Sequence, residues 1–179
     1  MEVVKEPLDG LLVIQPAVYK DNRGFFQETW QQNRYKEIGI KEDFVQDNWS
    51  HSTKGVLRGL HFQKTQPQGK LISVITGNVY DVAVDIRKDS PTYDKWHGEE
   101  LTADNHLQMY VPPGFAHGFC VLSEECDFMY KCTDFYNPED EGGIIWNDPH
   151  LGIDWKLNAN EIIVSEKDSQ LKGFDNSDN

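Results

Sequence analysis

Residues 55–70, GVLRGLHFQKTQPQGK, carry the pattern that decides the fold. The stretch begins with a glycine, His61 follows after five intervening residues, and Gln63 comes two positions later. A second stretch, PPGFAH at residues 112–117, contains proline, one residue, glycine, two residues and histidine. Arg58, His61 and Gln63 fall within one predicted strand, and Lys70 ends the loop that follows it. A guanidinium, an imidazole, an amide and an ammonium group are thus concentrated in one short segment.

The two spacings resemble the metal-binding motifs of the cupin fold. In cupins the first motif supplies two histidines and an acid, the second supplies another histidine, and together they hold a metal ion. Here Gln63 stands at the position of the second histidine and Lys70 at that of the acid. An ammonium group donates hydrogen bonds, accepts none and repels a divalent cation. We therefore predict a cupin pocket without a metal, in which a fixed cation serves acid–base chemistry on an anionic transition state.

Composition predicts a single folded domain over residues 1–179. A chain of this length buries roughly 70% of its unfolded surface, and its residues are 38% hydrophobic and 12% aromatic. The net charge of −13 argues against a nucleic-acid partner, because neutralising phosphates requires clustered lysine and arginine.

Cysteine content and hydropathy indicate the compartment. The three cysteines are an odd number without the spacing of a zinc site, which predicts free thiols in a reducing environment. No apolar run approaches the ~18 residues of a membrane span, and the N-terminus lacks a signal-peptide pattern. We expect a cytoplasmic protein with no membrane partner.

Short runs of apolar residues between turn residues indicate an all-β sandwich or barrel with a few short helices. Residues 71–76 and 79–86 flank Gly77-Asn78, a pair that favours a tight hairpin between them. Residues 79–86 alternate, and their wholly apolar face is predicted to cover a core on one side. Residues 30–38 are the best helix candidate, and about 170–179 are predicted to be a frayed tail. Further strands are expected at residues 11–16, 25–29, 44–50, 57–63, 96–101, 107–111, 118–122 and 128–136.

Eight segments resemble those of the dTDP-4-dehydrorhamnose 3,5-epimerase family: DNRGFFQE, FVQDN, GVLRGLHFQ, QGKL, DVAVDIRKDSPTY, PPGFAHGF, MYKCTDFY and SEKD. The resemblance extends over residues 10–168. It implies a cupin-type jelly roll, a homodimer that exchanges N-terminal strands, and a nucleotide-sugar substrate. It also implies an isomerase without metal or cofactor. The implied reaction inverts carbon 3 and carbon 5 of dTDP-4-dehydro-6-deoxy-D-glucose, giving dTDP-4-dehydro-L-rhamnose for dTDP-rhamnose biosynthesis.

Inversion next to a ketone requires a base, a group that stabilises the enolate, and an acid on the opposite face. His61 is the candidate base, because imidazole titrates near neutral pH. The resemblance makes Asp168 its orienting carboxylate, although Ser165 and Asp168 also have the spacing of a helix capping box. Lys70 is the candidate enolate stabiliser, and Tyr130 the candidate acid.

Other residues are candidates for substrate binding. Tyr136 shares strand parity with Tyr130 and would lie about 20 Å away at ~3.3 Å per residue, so it is expected to stack on the base. His117 is expected to bond the ketone oxygen or the phosphate, oriented by Asp81. Arg58 and His61 have opposite parity, and a bulge at the intervening Gly59 would let both reach the pocket. Without such a bulge, Arg58 would serve at the rim or at a subunit edge. Candidates for contacts to diphosphate, sugar or base are Arg23, Arg58 and Lys167, and the resemblance adds Glu28, Gln46, Asp47, Asn48 and Glu141.

Three other functions fit parts of the pattern. A mono-epimerase, acting at carbon 3 or carbon 5 only in another deoxysugar pathway, needs the same acid–base residues. A metal cupin, such as a dioxygenase or isomerase, would hold an ion through His61 and His117. A non-catalytic binding module would bind the sugar nucleotide without exchanging its protons.

Overall fold

A computed structural model describes residues 1–174, and most of its regular structure is β-strand. The strands are β1 (Glu2–Leu8), β2 (Leu11–Gln15), β3 (Val18–Asp21), β4 (Gly24–Gln27), β5 (Gln46–Thr53), β6 (Leu57–Gln63), β7 (Lys70–Thr76), β8 (Asn78–Asp85), β9 (Trp96–Thr102), β10 (Gln108–Val111), β11 (Phe115–Val121), β12 (Glu125–Cys132) and β13 (Glu141–Gly143). The helices are α1 (Gln32–Glu37), α2 (Glu166–Ser169) and a 3-10 turn (Ala159–Glu161).

Two antiparallel sheets form the body of the fold. One has the strand order β1-β2-β10-β7-β12-β5, and the other has the order β13-β6-β11-β8-β9. Strands β3 and β4 form a separate two-stranded hairpin. Non-consecutive strands lie side by side in both sheets, as in a jelly roll. The prediction of an all-β cupin-type jelly roll with a few short helices is therefore confirmed.

Three apolar clusters hold the sheets in place. One lies between them, where Ile72, Met109 and Phe128 of one sheet meet Val79 and Phe119 of the other. Segments outside the sheets cover their outer faces. Residues around α1 pack on the six-stranded sheet, and the C-terminal segment packs on the five-stranded sheet. Because the outer face of each sheet is covered in this way, a site can open only between the sheets or at their edges.

Two sequence predictions around Gly77 are wrong. Strands β7 and β8 form no tight hairpin, because they belong to different sheets. Gly77 lies at the corner with φ of +81°, and a Cβ there would collide with the carbonyl group of Glu125. Strand β8 is also buried on both faces: Val79 and Ala83 face the interior, whereas Tyr80 and Val82 pack under the C-terminal segment.

The C-terminal segment is packed further than the sequence predicted. Lys172 forms a parallel bridge with Ile144, and Phe174 is only 5% exposed. The frayed tail predicted from about residue 170 is therefore wrong for residues 170–174, because apolar side chains there cover the sheet. The rest of that predicted tail, residues 175–179, lies outside the described residues.

Helix α1 and the cysteines agree with the sequence predictions. Helix α1 begins after Gln31, whose side chain caps the amide of Arg34, and it lies within the predicted residues 30–38. Cys120, Cys126 and Cys132 are free and buried. Within residues 1–174, no helix is both long and apolar enough to cross a membrane.

Candidate active site

A cavity of about 650 Å³ opens between the two sheets. Strands β5, β7 and β12 supply one wall, strands β6, β11 and β13 supply the other, and the segment leading into α2 closes one side. Nine residues named from the sequence line it together: Asn48, Arg58, His61, Lys70, His117, Tyr130, Glu141, Lys167 and Asp168.

His61 and Asp168 form a hydrogen-bonded pair across 107 positions of sequence. Nε2 of His61 lies 2.8 Å from Oδ1 of Asp168, and the other carboxylate oxygen accepts a bond from the amide of Gly59. The Asp168 side chain is 6% exposed and that of His61 is 30% exposed. Burial raises the pKa of Asp168, but its hydrogen bonds, chiefly from His61, outweigh burial and hold it below the ordinary value. The imidazole is thus fixed by a buried carboxylate.

The same geometry separates the two roles weighed for Asp168. Ser165 is the N-cap of α2, and its hydroxyl accepts a hydrogen bond from the backbone amide of Asp168. The carboxylate of Asp168 does not accept from the backbone amide of the N-cap, as a complete capping box requires, and its hydrogen bonds with His61 and Gly59 point it into the cavity. The short helix therefore serves to present the carboxylate.

His117 and Asp81 form a second pair, deeper between the sheets. Nε2 of His117 lies 2.9 and 3.1 Å from the two carboxylate oxygens of Asp81, and Asp81 is fully buried. Burial lowers the pKa of His117, and Asp81 raises it. The charges of Lys70 and His61 add to the lowering, and the net effect is a lowered pKa. His117 is therefore held as a neutral imidazole whose Nε2–H is donated to Asp81.

Lys70 begins β7 and extends into the cavity beside Tyr130, with Nζ 5.9 Å from the centre of the phenol ring. Among residues 1–174, this ammonium group has no hydrogen-bond acceptor or ion-pair partner. Burial lowers the pKa of Lys70, partly offset by nearby acidic groups. A cation without an acceptor can bond strongly to an anion that forms in the cavity.

Tyr130 lies on the wall opposite His61, because β12 and β6 belong to different sheets. Burial raises the pKa of Tyr130 to about 12, although the nearby positive charge of Arg58 lowers it. The phenol therefore remains protonated well above neutral pH, as a proton donor must.

Arg58 and His61 reach the same cavity because strand β6 is irregular between them, as predicted. The pairing of β11 with β6 shifts register between His117 and Phe119. Gly59 has φ of +114°, and a Cβ there would lie 2.6 Å from the carbonyl oxygen of His117. Only glycine allows so close an approach of the two strands.

Gln63, at the position of a cupin metal ligand, bonds backbone instead. Its Nε2 donates to the carbonyl oxygens of Gln66 and Phe135, and its Oε1 accepts from the amide of Asn137. Within residues 1–174, no group of three or more histidine, cysteine, aspartate or glutamate side chains is placed to hold a metal ion. Gln63 thus ties two loops to the end of β6.

The tyrosine spacing predicted from strand parity is wrong. Strand β12 ends at Cys132, so Tyr136 lies beyond the strand rather than about 20 Å along it. Tyr130 and Tyr136 instead line one small annex of about 150 Å³ that shares His61 and Lys70 with the main cavity. The hydroxyl of Tyr136 donates to Glu141 at 2.7 Å, and Lys167 bonds the same carboxylate oxygen.

Five of the predicted binding residues do not line the main cavity: Tyr136 lines the annex, and the other four lie elsewhere. Arg23 is exposed on the β3–β4 hairpin and pairs with Asp21, and Glu28 pairs with Arg34. Asp47 faces away from the cavity and bonds Lys131. Gln46 acts indirectly, because its amide donates to Asn48 and accepts from the backbone of Tyr136.

Sequence reasoning missed a row of small hydroxyl residues on β5. Ser50 lines the cavity, and Ser52 accepts hydrogen bonds of 3.2 and 3.1 Å from Nε and Nη2 of Arg58. The signal was the parity of the strand: Gln46, Asn48, Ser50 and Ser52 alternate with outward residues and so share one face.

The chain is similar to known proteins over almost its whole length. The family model for dTDP-4-dehydrorhamnose 3,5-epimerase matches residues 5–176. A dTDP-4-dehydrorhamnose 3,5-epimerase of Methanothermobacter thermautotrophicus is 52% identical over 170 residues, covering 94% of this chain and 92% of the relative.

Two solved structures have the same fold. The crystal structure of a dTDP-4-dehydrorhamnose 3,5-epimerase from Elizabethkingia anophelis has a TM-score of 0.93 and 50% identity, covering 98% of this chain and 97% of its own. A dTDP-6-deoxy-D-glucose-3,5-epimerase from Legionella pneumophila, in complex with dTDP-4-keto-L-rhamnose, has a TM-score of 0.92 and 52% identity, covering 96% of this chain and 92% of its own. The resemblance read from the sequence is confirmed, and the chain belongs to the dTDP-4-dehydrorhamnose 3,5-epimerase family of isomerases.

Proposed function

We propose that this chain inverts carbon 3 and carbon 5 of dTDP-4-dehydro-6-deoxy-D-glucose without a cofactor, giving dTDP-4-dehydro-L-rhamnose for dTDP-rhamnose biosynthesis. Membership of the family supports the substrate and the product. One observation carries the mechanism: His61 and Tyr130 reach the cavity from opposite sheets. Inversion at carbon needs a proton removed from one face and another delivered to the opposite face.

His61 is the base in this proposal. The ketone at carbon 4 acidifies the hydrogens on carbon 3 and carbon 5. With the proton of Nε2 donated to Asp168, Nδ1 of His61 keeps its lone pair and can take a hydrogen from carbon. Asp168 then stabilises the imidazolium that results, and His61 later releases its proton to solvent.

Lys70 stabilises the enolate. As the carbon–hydrogen bond breaks, its electron pair moves towards the ketone oxygen, and the ammonium group of Lys70 donates a hydrogen bond to the oxyanion. His117 is unsuited to that donation, because its single proton is directed at Asp81. We therefore give His117 the role of hydrogen-bond acceptor beside Lys70, rather than donor to the ketone.

Tyr130 delivers the second proton. Its hydroxyl protonates the enolate carbon from the face opposite His61, the enolate electron pair forms the new carbon–hydrogen bond, and the ketone is restored. The nearby positive charge of Arg58 stabilises the phenolate of Tyr130 until it regains its proton from solvent.

Positive charge at the cavity rim suits the diphosphate. Arg58 and Lys167 line the cavity, and arginine and lysine are the usual partners of phosphate oxygens. Asn48 and Glu141 supply polar contacts to the sugar or the base. Tyr136 is close to Tyr130 rather than remote from it, so we assign it to the sugar end and no longer to stacking on the base.

Proton exchange in deuterated water tests the reaction. With dTDP-4-keto-6-deoxyglucose, the wild-type protein should incorporate deuterium at carbon 3 and carbon 5. Tyr130→Phe should retain exchange by His61 but lose roughly 10²-fold or more in net inversion, because the opposite-face acid is missing. Exchange at one carbon only would identify a mono-epimerase, and binding without exchange would leave a binding module. Equal inversion by Tyr130→Phe and wild type would exclude Tyr130 as the acid.

A homodimer is part of the proposal. The β3–β4 hairpin is separate from both sheets and exposes Tyr19 (66%), Phe25 (61%) and Phe26 (67%). Such an apolar projection fits burial against a second copy of the chain. Arg23 and Glu28, which lie on or next to this hairpin, would then complete the cavity of the other subunit.

Complementation between subunits tests this arrangement. Arg23→Ala and His61→Ala carry defects in different parts of the same composite site. When the two weakened variants are mixed and allowed to exchange subunits, about a quarter of the sites should combine an intact hairpin with an intact His61. Activity should rise accordingly. Activity that stays at the mean of the separate variants, or a monomer by light scattering, would contradict the shared site.

A further inference from the structure

Ser50 has a hydroxyl group without a partner in the cavity wall. Among residues 1–174, Oγ of Ser50 and Oδ1 of Asn78 are the buried side-chain polar atoms that lack a hydrogen bond. Asn78 lies at the start of β8 and does not line the cavity, whereas Ser50 does. Leaving a buried polar atom unpaired is costly, so a hydroxyl in this position is suited to a ligand that pairs with it.

The neighbours of Ser50 on the same face of β5 are already occupied. Asn48 accepts from Gln46 and donates to Cys132. Ser52 accepts from Arg58. In the row of polar side chains facing the cavity, Ser50 is thus the one left available in the described part of the chain. Across the ladder it lies opposite Phe128, whose ring stacks on Phe119 with centroids 4.0 Å apart and offers no alternative partner.

The position of Ser50 along β5 matches one part of the substrate in the function proposed above. Asn48 lies opposite Tyr130, at the reacting end. Ser52 holds Arg58, at the diphosphate end. Ser50 lies between them, one inward position or about 6.6 Å from each. In the hexose, carbon 2 likewise lies between carbon 1, which bears the diphosphate, and carbon 3, which reacts.

We propose that the Ser50 hydroxyl binds the carbon 2 hydroxyl of the hexose and holds the ring while the neighbouring centres invert. This inference rests on the proposed function. A 4-keto-6-deoxyglucose ring has hydroxyls on carbon 2 and carbon 3 only. The carbon 3 hydroxyl changes direction when that centre inverts. A group on a rigid strand can keep one hydrogen bond throughout only with the carbon 2 hydroxyl.

Calorimetric binding of unreactive ligands tests Ser50 separately from catalysis. The ligands are dTDP, dTDP-glucose, dTDP-2-deoxyglucose and dTDP-3-deoxyglucose, none of which has the ketone that permits exchange. Ser50→Ala should weaken the binding of dTDP-glucose by about 5- to 10-fold, the effect of one lost hydrogen bond. The affinity for dTDP should stay within about twofold of the wild-type value. The 2-deoxy ligand should bind Ser50→Ala and wild type equally, whereas the 3-deoxy ligand should keep the full difference.

Two further variants make the result specific. Ser50→Thr keeps the hydroxyl and should bind dTDP-glucose like the wild type. Thr53→Ala removes a hydroxyl from the exposed face of the same strand and should change nothing. Three outcomes would overturn the assignment. Ser50→Ala could weaken the binding of dTDP and dTDP-glucose equally, or weaken neither. It could also weaken the binding of the 2-deoxy ligand as much as that of dTDP-glucose. Failure of proton exchange would overturn the proposed reaction and leave these binding results standing.

Discussion

Replacing His61 by asparagine should lower proton exchange from carbon 3 and carbon 5 by about 10³-fold or more, because general-base catalysis contributes roughly 10²–10⁴-fold. The asparagine amide overlays Nδ1 of histidine rather than the Nε2 that bonds Asp168, so of its hydrogen bonds from His61 and Gly59 the buried carboxylate then keeps only the one from the backbone amide of Gly59. What disappears is the basic lone pair directed at the substrate. The measurement is deuterium incorporation by NMR, with the affinity for dTDP determined on the same preparation.

His150→Asn is the matched control for His61→Asn. The side chain of His150 is 46% exposed and does not line the cavity, so its replacement should leave exchange unchanged. Wild-type exchange by His61→Asn would remove His61 from the role of base. A loss accompanied by failure to bind dTDP would point to damage of the fold, and His61→Gln would then repeat the test.

Replacing Lys70 by methionine should have an effect of similar size, for an electrostatic reason. Methionine resembles the lysine stem in length but carries no charge, so the enolate oxygen loses its donor. Removal of one preorganised donor to an oxyanion typically costs about 10²–10³-fold in kcat. Binding of dTDP should change little, because Lys70 is assigned to the reacting oxygen. Lys54→Met, at an exposed lysine outside the cavity, is the control.

The pH dependence of kcat/KM is a second test of the role of Lys70. Burial lowers the pKa of Lys70 below its ordinary value of 10.5. The active form is the ammonium, so wild-type kcat/KM should begin to fall with rising pH before 10.5 is reached. Tyr130, with its pKa raised to about 12, remains protonated in that range. Lys70→Arg should keep some activity and move the alkaline limb upwards, since arginine stays charged. An unchanged limb would assign it to another group.

Much of the site was predictable from local pattern. The spacing of His61 and His117 from glycine and proline predicted which strand positions face the pocket, and Lys70 followed from the same register. Strand periodicity works because side chains alternate between faces at every second residue. For the same reason β6 has the bounds predicted for it, residues 57–63, and Gly59 was identified as the place where the alternation breaks.

Contacts across the fold were not predictable in this way. Whether Asp168 reaches His61, or only caps a helix, depends on how the C-terminal segment packs on the five-stranded sheet. The hairpin predicted at Gly77 was wrong because a turn sequence does not determine whether the next strand joins the same sheet. The 20 Å separation of Tyr130 and Tyr136 was wrong because the strand ends at Cys132.

By itself, the sequence determined the class of fold and the chemical inventory: a base, a cation and an acid at cupin positions, together with membership of a family. These are properties of residue type and short-range spacing, which the covalent chain carries directly. The tertiary structure alone decided which groups meet. It paired His61 with Asp168, directed the proton of His117 at Asp81, and left the Ser50 hydroxyl unpaired in the cavity wall. Such meetings depend on packing between distant segments, and no local pattern encodes them.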